Sequence, residues 1–291
     1  MLAKEILRQV RRIEIKTRKI VDENLAGKYH SAFKGQGMEF SEVRAYQAGD
    51  DIRSIDWNVT ARTGEPFIKK FTEERELTVM ILVDMSGSLE YGSGPKSKRD
   101  IAAELTSLFA FSAIRNQDKV GCMIFTDSVE LFVPPKKGKK HVLRLIREIL
   151  AFTPRGVKTD VAGALAYFAK VVKRKAVVFL ISDFMDTNFL KPLQHASRRH
   201  DLIAVPIHDP RELNPPSAGL FVLEDGESGE EVYVDFGNRK VREAWSRNAM
   251  AAHASMLSSL RSAQVDHIEV SAADPYDKAI INFFKMRELR R

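Results

Sequence analysis

The sequence contains a single cysteine, Cys122, in 291 residues, so a disulfide within the chain is excluded. A chain without disulfides suits a reducing compartment, because disulfide bonds form and persist mainly in oxidising compartments. Long apolar runs are also scarce, and those such as 176–181 are far shorter than the ~20 residues of a membrane-spanning helix. Residues 1–12 carry charges every few positions, unlike the apolar centre of a signal peptide. We therefore expect a cytoplasmic protein with no transmembrane segment.

Several catalytic patterns are missing as well. The stretch 92–98 contains glycine and lysine but lacks the spacing of a P-loop. Ser86 lacks the first glycine of the Gly-x-Ser-x-Gly nucleophile elbow of serine hydrolases, and no histidine is obviously placed to act as its base. A haloacid-dehalogenase-type phosphatase needs a second aspartate two residues after Asp84, where Ser86 stands instead. The seven histidines are scattered, with none spaced for metal ligation. The chain is therefore expected not to be an enzyme.

Basic residues are in excess, with 46 Lys and Arg against 39 Asp and Glu, which gives a net charge of +7. The excess is concentrated in three clusters, at 1–20, 136–140 and 170–175. Such clusters are usually solvated surface, although they can attract nucleic acid, anionic lipid or an acidic protein face. There is no recognition-helix signature and no alternation of aromatic and basic residues, so nucleic-acid binding is not favoured. A non-enzymatic nucleic-acid or anionic-membrane-surface binder remains the alternative function.

From residue 78 onward, strand patterns alternate with helix patterns, which predicts a mainly parallel sheet covered by helices on both faces. The segments 78–83 and 176–182 are apolar and β-branched at consecutive positions, as strands buried on both faces require. We predict a Rossmann-like α/β domain over 78–291, with a hairpin insertion at about 219–236 and a single strand at 265–270. Residues 1–77 are predicted to form a family-specific N-terminal extension made of a helix and extended segments.

The loops that follow the predicted strands carry carboxylate and hydroxyl side chains. In an open parallel sheet ligands bind at the carboxyl ends of the strands, so these side chains are expected at one edge. The candidate ligands are Asp84, Ser86, Ser88, Thr159 and Asp183, with Asp160 as an additional candidate. All offer oxygen, which suits Mg²⁺ or Mn²⁺ better than zinc or copper. Such an ion can accept a carboxylate from another molecule as its missing ligand. Asp186 is a weaker alternative to Asp183 as a metal ligand.

The pattern Asp84-x-Ser86-x-Ser88, with Thr159 and Asp183 downstream, resembles the metal-ion-dependent adhesion site (MIDAS) of von Willebrand factor A (vWA) domains. The order of the predicted strands and helices also fits that fold. The resemblance implies that Ser86 and Ser88 ligate the metal directly and that Thr159 joins them in one conformational state. It also implies that Asp84 and Asp183 bind partly through water.

The residues before 78 narrow the resemblance to one family. The stretches GMEFSEVR at 37–44, GDDIRSIDW at 49–57 and AR at 61–62 are similar to the signature of a bacterial family known as domain of unknown function fifty-eight (DUF58). Members of that family are similar to A-domain proteins that accompany MoxR-type AAA+ ATPases. The resemblance thus implies a metal-dependent protein-interaction adaptor. Its partners would be a MoxR-type ATPase and a client protein that offers an acidic residue, and the pair would mature or activate protein complexes.

The stretch from Gly49 to Trp57 has two interpretations. Its carboxylates and Arg53 could recognise a partner. The favoured interpretation is structural: a buried ion-pair network that docks the N-terminal segment onto the main domain.

Overall fold

The computed structural model describes residues 3–33, 38–73 and 76–290. Contacts divide the chain into two compact units, one formed by Phe33–Leu77 and the other by Met1–Ala32 together with Thr78–Arg291. The N-terminal helix therefore groups with the larger unit. The division of the chain into a family-specific extension over 1–77 and a domain over 78–291 stays a prediction.

The larger unit is built around a mainly parallel sheet. The strands of the chain are β1 (Met38–Ala45), β2 (Phe67–Glu73), β3 (Thr78–Asp84), β4 (Lys119–Phe125), β5 (Val129–Lys136), β6 (Val177–Ser182), β7 (Asp201–His208), β8 (Leu220–Glu224), β9 (Glu231–Asp235), β10 (Asp266–His267) and β11 (Val270–Ser271). The central sheet has the order β10-β7-β6-β3-β4-β5, and β11 also pairs with β7. Among the described strands of this central sheet, only β5 runs antiparallel to its neighbour. The predicted Rossmann-like architecture is confirmed.

Helices cover this sheet. In the larger unit they are α1 (Ala3–Ile20), α2 (Ala26–Phe33), α4 (Lys98–Arg115), α5 (Lys139–Ala151), α6 (Val161–Val171), α7 (Leu190–Arg199), α8 (Pro210–Leu213), α9 (Arg239–Ser262) and α10 (Tyr276–Leu289), whereas α3 (Trp57–Thr63) belongs to the smaller unit. Helix α4 is buried along most of its length, and Phe109 stacks on Phe179 of β6 with ring centroids 3.9 Å apart. Within the described residues, no helix is both long and apolar enough to cross a bilayer.

Two segments of the larger unit differ from the sequence-based expectation. The glycine-dotted stretch after α1 continues as a short π-helical turn and then as α2. Leu25, Tyr29 and Phe33 recur at four-residue spacing and are buried, which explains the helix. The single strand expected at 265–270 is instead two short strands, β10 and β11, which pair with successive parts of β7.

The smaller unit consists of the antiparallel pair β1 and β2 with α3 between them. Arg44 binds both carboxylate oxygens of Asp50, at 2.7 and 2.8 Å, and this contact lowers the pKa of Asp50. Asp51 caps a short 3-10 turn, and Asp56 caps α3. The carboxylates of the 49–57 stretch are thus engaged in local hydrogen bonds.

Candidate metal centre

Asp84 is the last residue of β3, and its carboxylate is completely buried. One of its oxygens accepts the backbone N–H of Ser86 at 2.9 Å, and the other accepts the hydroxyl of Ser182 at 2.6 Å. The Ser86 and Ser88 hydroxyl oxygens lie 3.1 Å apart. Octahedral Mg²⁺ at its usual bond lengths brings adjacent ligand oxygens to about 3 Å, so the two hydroxyls have suitable spacing for one ion.

The electrostatics of Asp84 also fit a cation. Burial, together with the charge of Asp183, raises the pKa of Asp84 to about 7, although the hydrogen bonds from Ser182 and Ser86 act in the opposite direction. A completely buried carboxylate beside a second carboxylate favours a nearby cation. A divalent ion held by these oxygens would supply it.

Lys98, the first residue of α4, is fully buried beside Asp183. Its ammonium group donates to Asp183 Oδ2 at 2.9 Å and to Glu212 Oε1 at 2.6 Å. Burial alone would lower the pKa of Lys98, but the two carboxylates outweigh it and raise the pKa. Lys98 is therefore charged and fixes Oδ2 of Asp183. The other oxygen, Oδ1, accepts a long 3.3 Å hydrogen bond from the backbone N–H of Met185. Sequence reasoning missed Lys98, because the capping box of Ser97 and Asp100 predicts where α4 begins but not that this lysine is buried.

The loop before α6 reaches the same edge of the sheet. The backbone N–H of Gly87 donates to the carbonyl of Val157 at 2.8 Å, which joins this loop to the Asp-x-Ser-x-Ser loop. Asp160 Oδ1 caps α6 by accepting the N–H of Gly163 at 2.7 Å. Asp186 accepts the N–H of Val161 at 3.0 Å. Asp160 and Asp186 thus have clear roles in holding the start of the helix.

Glu130 fixes the beginning of that loop. Its carboxylate accepts the Thr126 hydroxyl at 2.7 Å and the backbone N–H groups of Arg155 and Gly156 at 2.8 and 3.1 Å. These bonds lower the pKa of Glu130. Thr159 therefore stands on a segment whose backbone is tied to β5.

The predicted hairpin insertion is formed by β8 and β9, and its tip lies on the site. The hydroxyl of Thr159 donates to Glu227 Oε1 at 2.6 Å. A Cβ atom added to Gly87 would lie 1.8 Å from the carbonyl oxygen of Gly226, so the two backbones are in direct contact. Asp225 orders the tip by accepting the N–H groups of Glu227 and Ser228. Sequence reasoning identified the hairpin but not Glu227, since nothing local distinguishes it from a solvated turn residue.

The structure therefore places each predicted ligand in one of three neighbouring loops. Asp84, Ser86 and Ser88 lie together, and the charge of Asp183 reaches Asp84. Two contacts link Thr159 to them. Its hydroxyl binds Glu227 in the hairpin tip, and its loop is joined to Gly87 by the hydrogen bond from the Gly87 N–H to the Val157 carbonyl. The donor set is made of hard oxygens, as Mg²⁺ or Mn²⁺ requires.

Comparison with known proteins gives a family. The family model described as "Protein of unknown function DUF58" matches residues 42–255. Uncharacterized protein Rv1480 of Mycobacterium tuberculosis is 32% identical over 257 residues, which are 87% of this chain and 80% of the relative. An aerotolerance-related membrane protein from Bacteroides fragilis resembles the structure with a TM-score of 0.50 at 15% identity, over 74% of this chain and 100% of that chain. That likeness concerns the fold alone. The family match over most of the sequence shows that the chain belongs to the DUF58 family.

Proposed function

We propose that this protein is a non-enzymatic adaptor that binds partner proteins through a divalent cation. Asp84, Ser86, Ser88 and Asp183 hold Mg²⁺ or Mn²⁺, and Thr159 contributes in one state of the site. An acidic side chain of the partner completes the coordination shell.

The contact between Glu227 and Thr159 carries this proposal. This contact brings a carboxylate of the chain itself to the Thr159 side of the site, with Glu227 Oε1 2.6 Å from the Thr159 hydroxyl oxygen. Glu227 is half-buried there, because the close approach of Gly87 and Gly226 holds the hairpin tip against the loop. A site that accepts an internal carboxylate has the shape and polarity to accept one from a partner. Glu227 thus occupies the place of the partner's acidic residue, and partner binding displaces the hairpin tip.

The physical partner in this proposal is a MoxR-type AAA+ ATPase, which supplies the ATP hydrolysis that the chain itself is not expected to perform. Both the ATPase and a client protein bind through the metal in this proposal, and the client offers an acidic residue to it. Both assignments rest on the resemblance of the sequence to the adaptor proteins that accompany such ATPases. The cytoplasmic location remains a prediction.

Metal binding is tested first with Mn²⁺ as the probe. Titration followed by electron paramagnetic resonance measures free Mn²⁺ for the wild type, D84A and S88A. We expect about one ion per wild-type chain and an affinity lower by about tenfold or more in the variants, which corresponds to about 1.4 kcal/mol. D274A is the control, because Asp274 is an exposed aspartate outside the proposed ligand set. Equal affinity in all four proteins would overturn the metal assignment.

Partner binding is tested with a purified MoxR-type ATPase from the same organism. Co-elution is measured with Mg²⁺ or EDTA, and with ATP, ADP or no nucleotide. We expect association with wild-type protein in Mg²⁺ and its loss in EDTA or in D84A. Absence of association under every metal and nucleotide condition excludes this partner. Association that EDTA and D84A leave unchanged instead directs attention to the basic clusters.

A further inference from the structure

A second cluster of potential metal-binding side chains on the larger unit is formed by residues other than the oxygen donors described above. It consists of His208, His253 and Glu269, which each offer one ligand atom within 4.8 Å of the others. Glu269 Oε1 is 3.7 Å from His208 Nδ1 and 3.4 Å from His253 Nε2. The two imidazole rings meet edge to face, with centroids 5.0 Å apart and 65° between their planes.

These contacts are poorly explained as hydrogen bonds. Both distances exceed the 2.7–3.2 Å range of ordinary N–H···O bonds, and within the described parts of the chain His208 Nδ1 and His253 Nε2 are buried without a hydrogen-bond partner. Buried polar nitrogens are normally satisfied. A tetrahedral ion with bonds of about 2.0–2.2 Å spaces its ligand atoms about 3.3–3.6 Å apart, which is close to the separations of Glu269 Oε1 from the two histidine nitrogens.

The cluster is held by rigid elements. His208 is the last residue of β7, and the pairing of Ser271 with His208 fixes the strand beside it. Glu269 lies between β10 and β11, both of which pair with β7. His253 projects from the long helix α9. Ligands on strands and helices need little reorganisation to bind an ion.

We infer that His208, His253 and Glu269 form a binding site for a borderline first-row divalent ion of the Zn²⁺ class. Two imidazoles and one carboxylate are ligands that zinc favours, whereas Mg²⁺ and Ca²⁺ prefer oxygen alone. Burial lowers the pKa of His208, which favours the neutral imidazole that a metal needs. Three protein ligands leave a fourth position for water or another small donor. The chain would thus carry two sites of different metal preference, and this one stands independently of the adaptor function.

The experiment is isothermal titration of the full chain with Zn²⁺ in a millimolar Mg²⁺ background, which saturates oxygen-only sites. Visible absorption of the Co²⁺-loaded protein reports tetrahedral coordination. We expect one Zn²⁺ per wild-type chain, and an affinity lower by about tenfold or more in both H253Q and E269Q. Glutamine fits helix α9 at position 253, and at 269 it preserves the shape of the carboxylate.

Two control variants distinguish Zn²⁺ binding at this cluster from binding at a surface histidine or at the oxygen donors. H195Q removes an exposed histidine elsewhere on the larger unit, and D84A removes a ligand of the proposed Mg²⁺ site; both are expected to bind Zn²⁺ like the wild type. Zn²⁺ should also raise the Tm of the wild type, H195Q and D84A but not of H253Q. Absence of Zn²⁺ binding by the wild type overturns the inference, as does binding that H253Q and E269Q leave unchanged.

Discussion

The Thr159 hydroxyl donates a 2.6 Å hydrogen bond to Glu227, a residue 68 positions further along the chain. One partner stands in the loop before α6 and the other at the tip of the β8–β9 hairpin. The bond therefore joins the candidate metal centre to an inserted element. It suggests that the hairpin controls access to the site.

Replacement of Glu227 should release the hairpin tip. We expect E227A to exchange backbone hydrogens of residues 220–235 faster than the wild type. It should also bind an acidic partner more tightly in Mg²⁺, because an internal competitor has been removed. A half-buried hydrogen bond is worth about 1 kcal/mol, or about fivefold in affinity. Hydrogen-exchange mass spectrometry and titration with the partner measure the two effects.

The matched control for this change is E230A, in the same hairpin tip but with an exposed side chain. It should leave both measurements unchanged. Slower exchange in E227A, or equal effects of the two substitutions, would contradict the role given to Glu227.

A methyl group at Gly87 should force the two backbones apart. The added Cβ would lie 1.8 Å from the Gly226 carbonyl oxygen, which neither backbone can accommodate without moving. We expect G87A to lower the free energy of unfolding by about 1–3 kcal/mol and to make the hairpin more sensitive to limited proteolysis. G94A is the control, because a Cβ there meets no atom within 4 Å. Wild-type stability and proteolysis in G87A would show that this contact is not maintained.

Removal of the Lys98 ammonium group should destabilise the protein strongly. Its side chain is 1% exposed and pairs with Asp183, which is 3% exposed. K98M leaves the carboxylates of Asp183 and Glu212 without their cation, and the loss of one partner of a buried pair costs about 3–5 kcal/mol. Chemical denaturation measures this cost.

If Asp183 belongs to the metal centre, Mg²⁺ should restore more stability to K98M than it adds to the wild type, since the ion replaces part of the lost positive charge. K191M, which removes an exposed lysine of α7, should behave like the wild type. Equal Mg²⁺ effects on K98M and wild type would argue against a metal beside Asp183.

His200 should make the protein sensitive to mild acid. It is 2% exposed and packs on Phe168, and its burial lowers its pKa from 6.5 to about 4. As pH falls below 6.5 the unfolded chain binds a proton that the folded chain resists, so stability decreases until the pH approaches 4. The accumulated loss at pH 5 is about 2 kcal/mol.

H200L should remove this part of the pH dependence, whereas H195L, at an exposed position, should retain it. Urea denaturation at pH 5 and pH 7.5 provides the comparison. A difference between the two pH values that is the same in H200L and the wild type would show that His200 does not titrate in this range.

Much of the fold was predictable because burial leaves a local pattern. The consecutive apolar residues of 78–83 and 176–182 require strands covered on both faces, and β3 and β6 lie at the centre of the sheet. The same reasoning placed the carboxyl ends of these strands, and with them Asp84 and Asp183, at one edge. The helix α2 escaped prediction because glycines in that stretch obscured the spacing of Leu25, Tyr29 and Phe33.

The sequence by itself determined the order of the elements, the family signature and the oxygen-rich loops, since each of these is a local pattern of residue types. Only the tertiary structure decided which distant side chains meet these loops. Lys98 beside Asp183, Glu227 beside Thr159, and the cluster of His208, His253 and Glu269 all join residues from separate elements. Local spacing carries no information about such pairs, because the packing of strands, helices and the hairpin fixes their distances.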